Sequence, residues 1–371
     1  MGLGALTDGL AATPPMGWNS WNRFGPFVSD QLVRETADAL IESGMRDAGY
    51  RYVVIDDAWE GSLRGDDGNL EPNLWRFPNM RGLAAYLHDR GLSFGLYTCA
   101  GDRTCQGYPG SRGREFVDAR RFASWDVDFI KIDWCHSAGL DARSAYATWS
   151  EAIRATRRPM VLSICEWGRN RPWEWAGGVG HLWRTSGDIA DRWDSVVNIL
   201  DRQAALADFA GPDHWNDPDM LEVGNGGMTD AEYRAHFSLW AILAAPLMAG
   251  NDVRAMSDAT RAILTAPEVI AVDQDPLGRQ GKRVDMAKGV EVWVRELAGG
   301  ARAIVLLNRG ESSARAEVTW DLVGGSRSDT AFVRDLWQRQ DVGRRTEGYD
   351  ITLEPHAAAL LKATRDNSAR A

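Results

Sequence analysis

The chain carries little that would commit it to a membrane, a nucleic acid or a metal. Across 371 residues no apolar run approaches the ~20 that a bilayer span needs. Basic runs and a basic stripe are missing as well. With a net charge of −10, this argues against a nucleic-acid or anionic-membrane partner. Cysteine is scarce: Cys99, Cys105, Cys135 and Cys165 form no close Cys-x-x-Cys pair, so their spacing fits no zinc pattern. The six histidines make no metal-type cluster, and neither a metal nor a cofactor is expected. The segment Met1–Asp8 lacks a basic region followed by an apolar one, so no signal peptide is read there. A cytoplasmic chain and a secreted chain trimmed of its leader would look the same, and oligomeric state is left open.

The apolar fraction of 44% and charged fraction of 25% are those of an ordinary globular protein, and the length can bury a large core with a smaller domain beside it. Tryptophan is the unusual count at 17. It offers flat apolar faces with a polar N–H, which suits holding sugar rings, although many will simply be core.

The stretch Asp128-Phe129-Ile130-Lys131-Ile132-Asp133-Trp134-Cys135 organises the rest. Its aromatic and β-branched residues read as a buried strand with charge at the C-terminal end. Alternation puts Phe129, Lys131, Asp133 and Cys135 on one face and Ile130 and Ile132 on the other. A lysine about 7 Å from a carboxylate on one surface is expected to lower its pKa and keep it anionic, as a nucleophile requires. A structural ion pair at a strand end fits the same residues.

The remaining chain repeats that theme. Thr13–Asn22 is read as a first strand with its exit loop, and Ser29 as the cap of a helix whose apolar positions recur three and four apart. Strands are then expected within Tyr52–Trp59, Ser93–Cys99, Met160–Gly168, His181–Asp188, His214–Met220 and Leu243–Gly250. Helices lie between most of them, and a Trp-rich turn precedes His181. About eight strand–helix units over residues 1–280 give the rhythm of an α/β (β/α)₈ TIM barrel. From 281 to 366, short alternating strands without helices read as a C-terminal antiparallel β-sandwich, taken as a structural cap, and 367–371 as a polar tail.

Polar and acidic residues collect where each strand ends: Asp56 and Asp57, Tyr97, Lys131 and Asp133, Glu166 and Trp167, Arg184 and Asp188, Asp217 and Asp219. In a (β/α)₈ barrel those ends form the active face. Two carboxylates there, among tryptophans, suit glycoside hydrolysis with one nucleophile and one general acid/base. Asp133 has Lys131 beside it, and Asp188 follows Arg184 by four residues.

Six motifs in order carry a resemblance to a known family: Pro15-Met16-Gly17-Trp18-Asn19-Ser20-Trp21, Ile55-Asp56-Asp57-Ala58-Trp59, Lys131-Ile132-Asp133-Trp134-Cys135, Cys165-Glu166-Trp167-Gly168, Arg184 to Asp188, and Trp215-Asn216-Asp217-Pro218-Asp219-Met220-Leu221. Over nearly its whole length the chain resembles glycoside hydrolase family 27, the α-galactosidase (melibiase) family. The resemblance implies a retaining exo-glycosidase acting on terminal α-D-galactosyl residues, with Asp133 as nucleophile and Asp188 as acid/base. It further implies that Trp21, Asp56 and Asp57 grip the 4- and 6-hydroxyls, that Tyr97 and Lys131 flank the nucleophile, and that Cys165, Trp167 and Arg184 shape the 2-position. Asp219 would close the pocket, and Cys105 would line it in a disulfide with Cys135. Four reduced thiols remain the other reading of the cysteines. Alternative specificities are β-L-arabinopyranosidase, α-N-acetylgalactosaminidase and isomalto-dextranase, and a non-catalytic galactose-binding protein is a further one. Thr98-Cys99 departs from an acidic residue common in relatives, and Arg169 to Trp175 matches no function; it either builds an aglycone subsite or packs.

Overall fold

A computed structural model describes residues 6–366; the first five residues, part of the leader reading, and the tail 367–371 lie outside that range. Eight parallel strands form one sheet: β1 Met16–Asn19, β2 Tyr52–Ile55, β3 Ser93–Cys99, β4 Phe129–Asp133, β5 Val161–Cys165, β6 Leu182–Arg184, β7 Trp215–Asp217 and β8 Leu247–Ala249. They neighbour one another in chain order, and β8 returns to pair with β1. Between β7 and β8 the ring closes through a single parallel bridge, Leu221 with Ala249. With the helices outside, this is the (β/α)₈ barrel expected from the alternation.

The principal barrel helices are α1 Asp30–Glu42, α2 Met80–His88, α3 Glu115–Ser124, α4 Ala142–Thr156, α5 Trp193–Gln203, α6 Asp230–Ile242, α7 Asp258–Leu264 and α8 Pro267–Asp273. Five of these eight starts follow from side-chain capping. Ser29, Asn79, Asp141 and Ser257 accept from backbone N–H groups of the first turn, and Thr229 with Glu232 forms a capping box. After β5 the described chain makes 3₁₀ turns at Pro172–Glu174 and Ala176–Gly178 instead of an α-helix, in the Trp-rich segment. The helix α8 was not expected; proline at its first position leaves no orphan N–H there.

Beyond the barrel come β9 Lys282–Ala287, β10 Val290–Glu296, β11 Arg302–Asn308, β12 Ala314–Thr319, β13 Thr330–Asp335, β14 Gln340–Thr346, β15 Gly348–Leu353 and β16 Ala358–Arg365. They form an antiparallel six-stranded sheet, ordered β14-β13-β16-β11-β10-β9, facing the pair β12-β15. The two strands missed in the sequence, β9 and β14, are its outer edges. Their mostly exposed, charged residues protect edges from pairing and so lack the apolar alternation of an inner strand.

The sandwich docks through shared core. Trp293 and Leu297 belong to the same buried cluster as the barrel helices. Buried Arg295 donates to Ala241 O (2.8 Å) and Asp273 O (3.1 Å), placing a cation at the carboxyl ends of α6 and α8. Trp337 Nε1 donates to Ser238 Oγ at 2.8 Å.

Candidate active site

Parallel register sets the floor of the site. Tyr97, Lys131 and Ser163 lie side by side across β3, β4 and β5, and Cys99, Asp133 and Cys165 form the next row. Above them opens a cavity of about 870 Å³ at the carboxyl ends of the strands. Its wall includes Trp21, Asp56, Asp57, Tyr97, Cys105, Lys131, Asp133, Trp167, Arg184, Asp188 and Asp219. Cys165 is absent from that wall and sits behind it, its sulfur 3.7 Å from Arg184 Nη1. Of the 17 tryptophans, Trp21 and Trp167 are the two that line the cavity, so the high count mostly serves the core.

Backbone strain gathers at these strand ends. Ala58, His136, Trp167 and Asp219 all hold positive φ just past β2, β4, β5 and β7. For side chains other than glycine, that conformation persists only where the surroundings impose it, commonly at functional sites.

Lys131 corrects one expectation. Its Nζ bonds Asp56 Oδ2 at 2.8 Å, and Asn19 Nδ2 donates to the same oxygen at 2.6 Å. The lysine therefore anchors the carboxylate at the end of β2, two strands away across β3, rather than pairing with Asp133. Asp133 accepts from Trp134 N at 2.8 Å and is almost fully buried. Burial outweighs the attraction of Lys131 and raises its carboxyl to about 6, where lowering was expected. Asp57 is also raised by burial, although Gln106 N and Ala58 N donate to it at 2.8 and 2.7 Å.

On the opposite wall, Arg184 forks between two carboxylates. Nη1 meets Asp219 Oδ1 at 2.9 Å and Nη2 meets Asp188 Oδ1 at 3.1 Å. Asp219 also accepts from Ile189 N at 2.8 Å, which fixes the loop carrying Asp188. Burial still raises Asp219 above its ordinary value. Asp188 differs from the other acids in being open: its side chain is 69% exposed, whereas Asp133 as a residue is 6% exposed.

Cys105 and Cys135 are joined in a disulfide, with Cα atoms 5.2 Å apart across a separation of 30 residues. The loop after β3 must touch the exit of β4 for this. Gly101 allows it, since a Cβ there would stand 2.0 Å from Cys135 O. Tyr97 Oη donates to Cys105 Sγ at 3.3 Å. The sole grouping of potential metal donors among the described residues is Cys105, Asp133 and Cys135. Its two sulfurs are bonded to each other and supply no thiolate.

The two departures resolve as packing. Thr98 Oγ1 and Ser111 Oγ share a hydrogen bond of 2.8 Å, and buried Cys99 donates to Cys135 O at 3.0 Å. In the Arg169–Trp175 segment, Arg169 covers the Trp167 ring at 4.6 Å and Trp175 stacks on Tyr146 at 6.1 Å. None of those seven residues lines the cavity.

Sequence reasoning missed Asn22, Asp191, Glu222 and Asn225, all in the wall. Glu222 lies past the end of β7, where the strand pattern has stopped giving a direction. Burial raises its carboxyl to about 7.

Comparison with known proteins places both domains in one family. Residues 13–275 match the family model described as alpha galactosidase A, and 287–363 match the alpha galactosidase C-terminal beta sandwich domain. An alpha-galactosidase A of Cellvibrio japonicus is 50% identical over 323 residues, covering 84% of this chain and 80% of its own. The crystal structure of alpha-galactosidase I from Mortierella vinacea superposes with a TM-score of 0.94 at 36% identity, covering 97% and 98% of the two chains. An α-galactosidase from Saccharomyces cerevisiae, solved with raffinose, gives 0.92 at 29% identity over 97% and 100%.

Proposed function

The chain belongs to the alpha galactosidase A (melibiase) family and is a glycoside hydrolase of α-galactosides, and from that premise we propose how its own residues carry the reaction. Asp133 attacks the anomeric carbon from the floor of the cavity and forms a galactosyl ester. Asp188 first protonates the departing glycosidic oxygen, then takes a proton from the water that hydrolyses the ester with net retention.

The observation that carries this assignment is the contrast between the two carboxyls in one cavity. Asp133 is buried at a rigid strand end, whereas Asp188 is open at the wall and held from one side by Arg184. A nucleophile must be fixed beneath the sugar, and an acid/base must reach both leaving group and water. Lys131, Asp56, Asp57 and Trp21 bind the galactose hydroxyls as a pre-formed polar cluster, and Trp167, Arg184 and Cys165 bound the 2-position. Tyr97 and Cys105 hold the floor beside the nucleophile, and Asp219 orients Arg184 and the Asp188 loop. The sugar is recognised in the pocket as a terminal residue, the aglycone lying toward solvent. We place the boundary between barrel and sandwich at residue 280, between α8 and β9.

Incubation with a 2-fluoro-galactosyl inactivator tests the central role: the covalent label is expected on the peptide containing Asp133. Label on Asp188 instead would reverse the two assignments. The alternative specificities are not favoured. A panel of aryl α-galactoside, α-N-acetylgalactosaminide and β-L-arabinopyranoside is expected to show the α-galactoside cleaved fastest.

A further inference from the structure

The segment from Glu222 to Met228, past β7, lies between two loops that hold groups assigned above. At its start Glu222 is 4% exposed and accepts from Asn22 Nδ2 on one oxygen and Asn225 Nδ2 on the other, both at 2.5 Å. Among the described residues it forms no ion pair. Asn22 adjoins Trp21, so this carboxyl reaches 200 residues back to the loop after β1.

At the far end, Gly227 N donates to Asp191 Oδ2 at 2.5 Å. The hydroxyl of buried Tyr233 donates to the same carboxylate, with oxygens at 2.9 and 3.0 Å, and accepts from Gly226 N at 2.6 Å. Asp191 lies three residues beyond Asp188. A Cβ on Gly227 would stand 2.2 Å from Asp191 O, so segment and loop meet backbone to backbone.

The location gives these contacts their weight. Elsewhere in the barrel neighbouring strands pair over two to five residues, which spaces the loops beyond them. Here the sheet closes by one bridge, Leu221 with Ala249, and side-chain contacts must define the wall. We propose that residues 222–228 are a positioning strap, which sets Trp21 through Glu222 and Asn22 and sets Asp188 through Tyr233 and Asp191. This rests on the roles proposed above for Trp21 and Asp188.

The strap divides its effects in a way that plain stabilisation would not. Loosening the Tyr233 end disturbs proton transfer, which matters most for a poor leaving group. Loosening the Glu222 end disturbs the sugar grip, felt equally with every leaving group.

The test uses full-length Tyr233→Phe, Glu222→Ala and Glu222→Gln, assayed on 4-nitrophenyl and methyl α-galactosides, with Tm recorded for each. Tyr233→Phe is expected to lower kcat/KM about tenfold more on the methyl than on the nitrophenyl substrate. Glu222→Ala is expected to raise KM about five- to tenfold on both, and Glu222→Gln to restore most of it. Asn22→Ser replaces the Glu222 variants if they do not fold, with the same expected rise in KM. Variants that lose only Tm, with unchanged kinetics of the folded enzyme, overturn the strap while leaving the catalytic reading intact. A wild type without α-galactosidase activity overturns both.

Discussion

Replacing Lys131 with methionine isolates the contest that sets the charge on Asp133. Burial raises that carboxyl to about 6, and Lys131 is the largest influence opposing it. As the proposed nucleophile, Asp133 must be ionised, so galactosylation is expected to be full above that value and to fall tenfold per unit below it. Two residues apart on one strand face, the two side chains leave the backbone about 7 Å apart, which sets the scale of their charge separation. At an effective dielectric of about 20, their attraction is roughly 2.4 kcal/mol, or about 1.7 pH units. Lys131→Met is therefore expected to move the acid limb from about pH 6 to between about 7 and 8. The same change strips Asp56 of its cation, so weaker sugar binding accompanies the shift. Burial also raises Asp217 to about 6 and Glu222 to about 7, so the limb of kcat/KM alone could mix several groups. The assay is the second-order rate of inactivation by a 2-fluoro-galactosyl fluoride against pH, which follows attack by the nucleophile itself. An acid limb unmoved in the variant would refute the electrostatic reasoning. A wild-type limb below pH 5 would refute the dominance of burial.

Three further outcomes follow from the same geometry. Asp188→Ala should slow hydrolysis of alkyl galactosides by 10²–10⁴-fold and of activated aryl galactosides far less, and equal losses on both would count against its acid role. Trp167→Ala should narrow the preference for α-galactosides over α-N-acetylgalactosaminides by opening the wall beside Arg184; an unchanged ratio of kcat/KM values would show that the indole does not set it. Thiol titration of denatured, unreduced protein should find two thiols, Cys99 and Cys165. Serine at both Cys105 and Cys135 should cost roughly 3–4 kcal/mol for a loop of 30 residues, read from denaturant unfolding, and an unchanged midpoint would refute that figure.

The sequence by itself determined the barrel, because its strands are largely buried on both faces and most of its helices on one, which leaves runs and periods in the order of residues. It also marked the active face. Asp56 and Asp133 stand where an apolar run stops, Asp188 and Asp219 follow shortly after later strand segments, and in a parallel barrel every strand stops at the same end. Edge strands escaped it, since β9 and β14 bury little and are written in charged residues.

Only the tertiary structure decided which charge meets which. Spacing along β4 puts Lys131 beside Asp133, but the barrel wraps Asp56 closer to the lysine than its own strand neighbour, and no one-dimensional pattern encodes that choice. The same holds for Glu222 and Asp191. Their partners lie 200 and 42 residues away, and their burial is conferred by loops whose positions exist only once the ring has closed. Period-2 and period-3.6 patterns are local and survive in the order of residues, whereas the energies of buried charges depend on distances that folding alone creates.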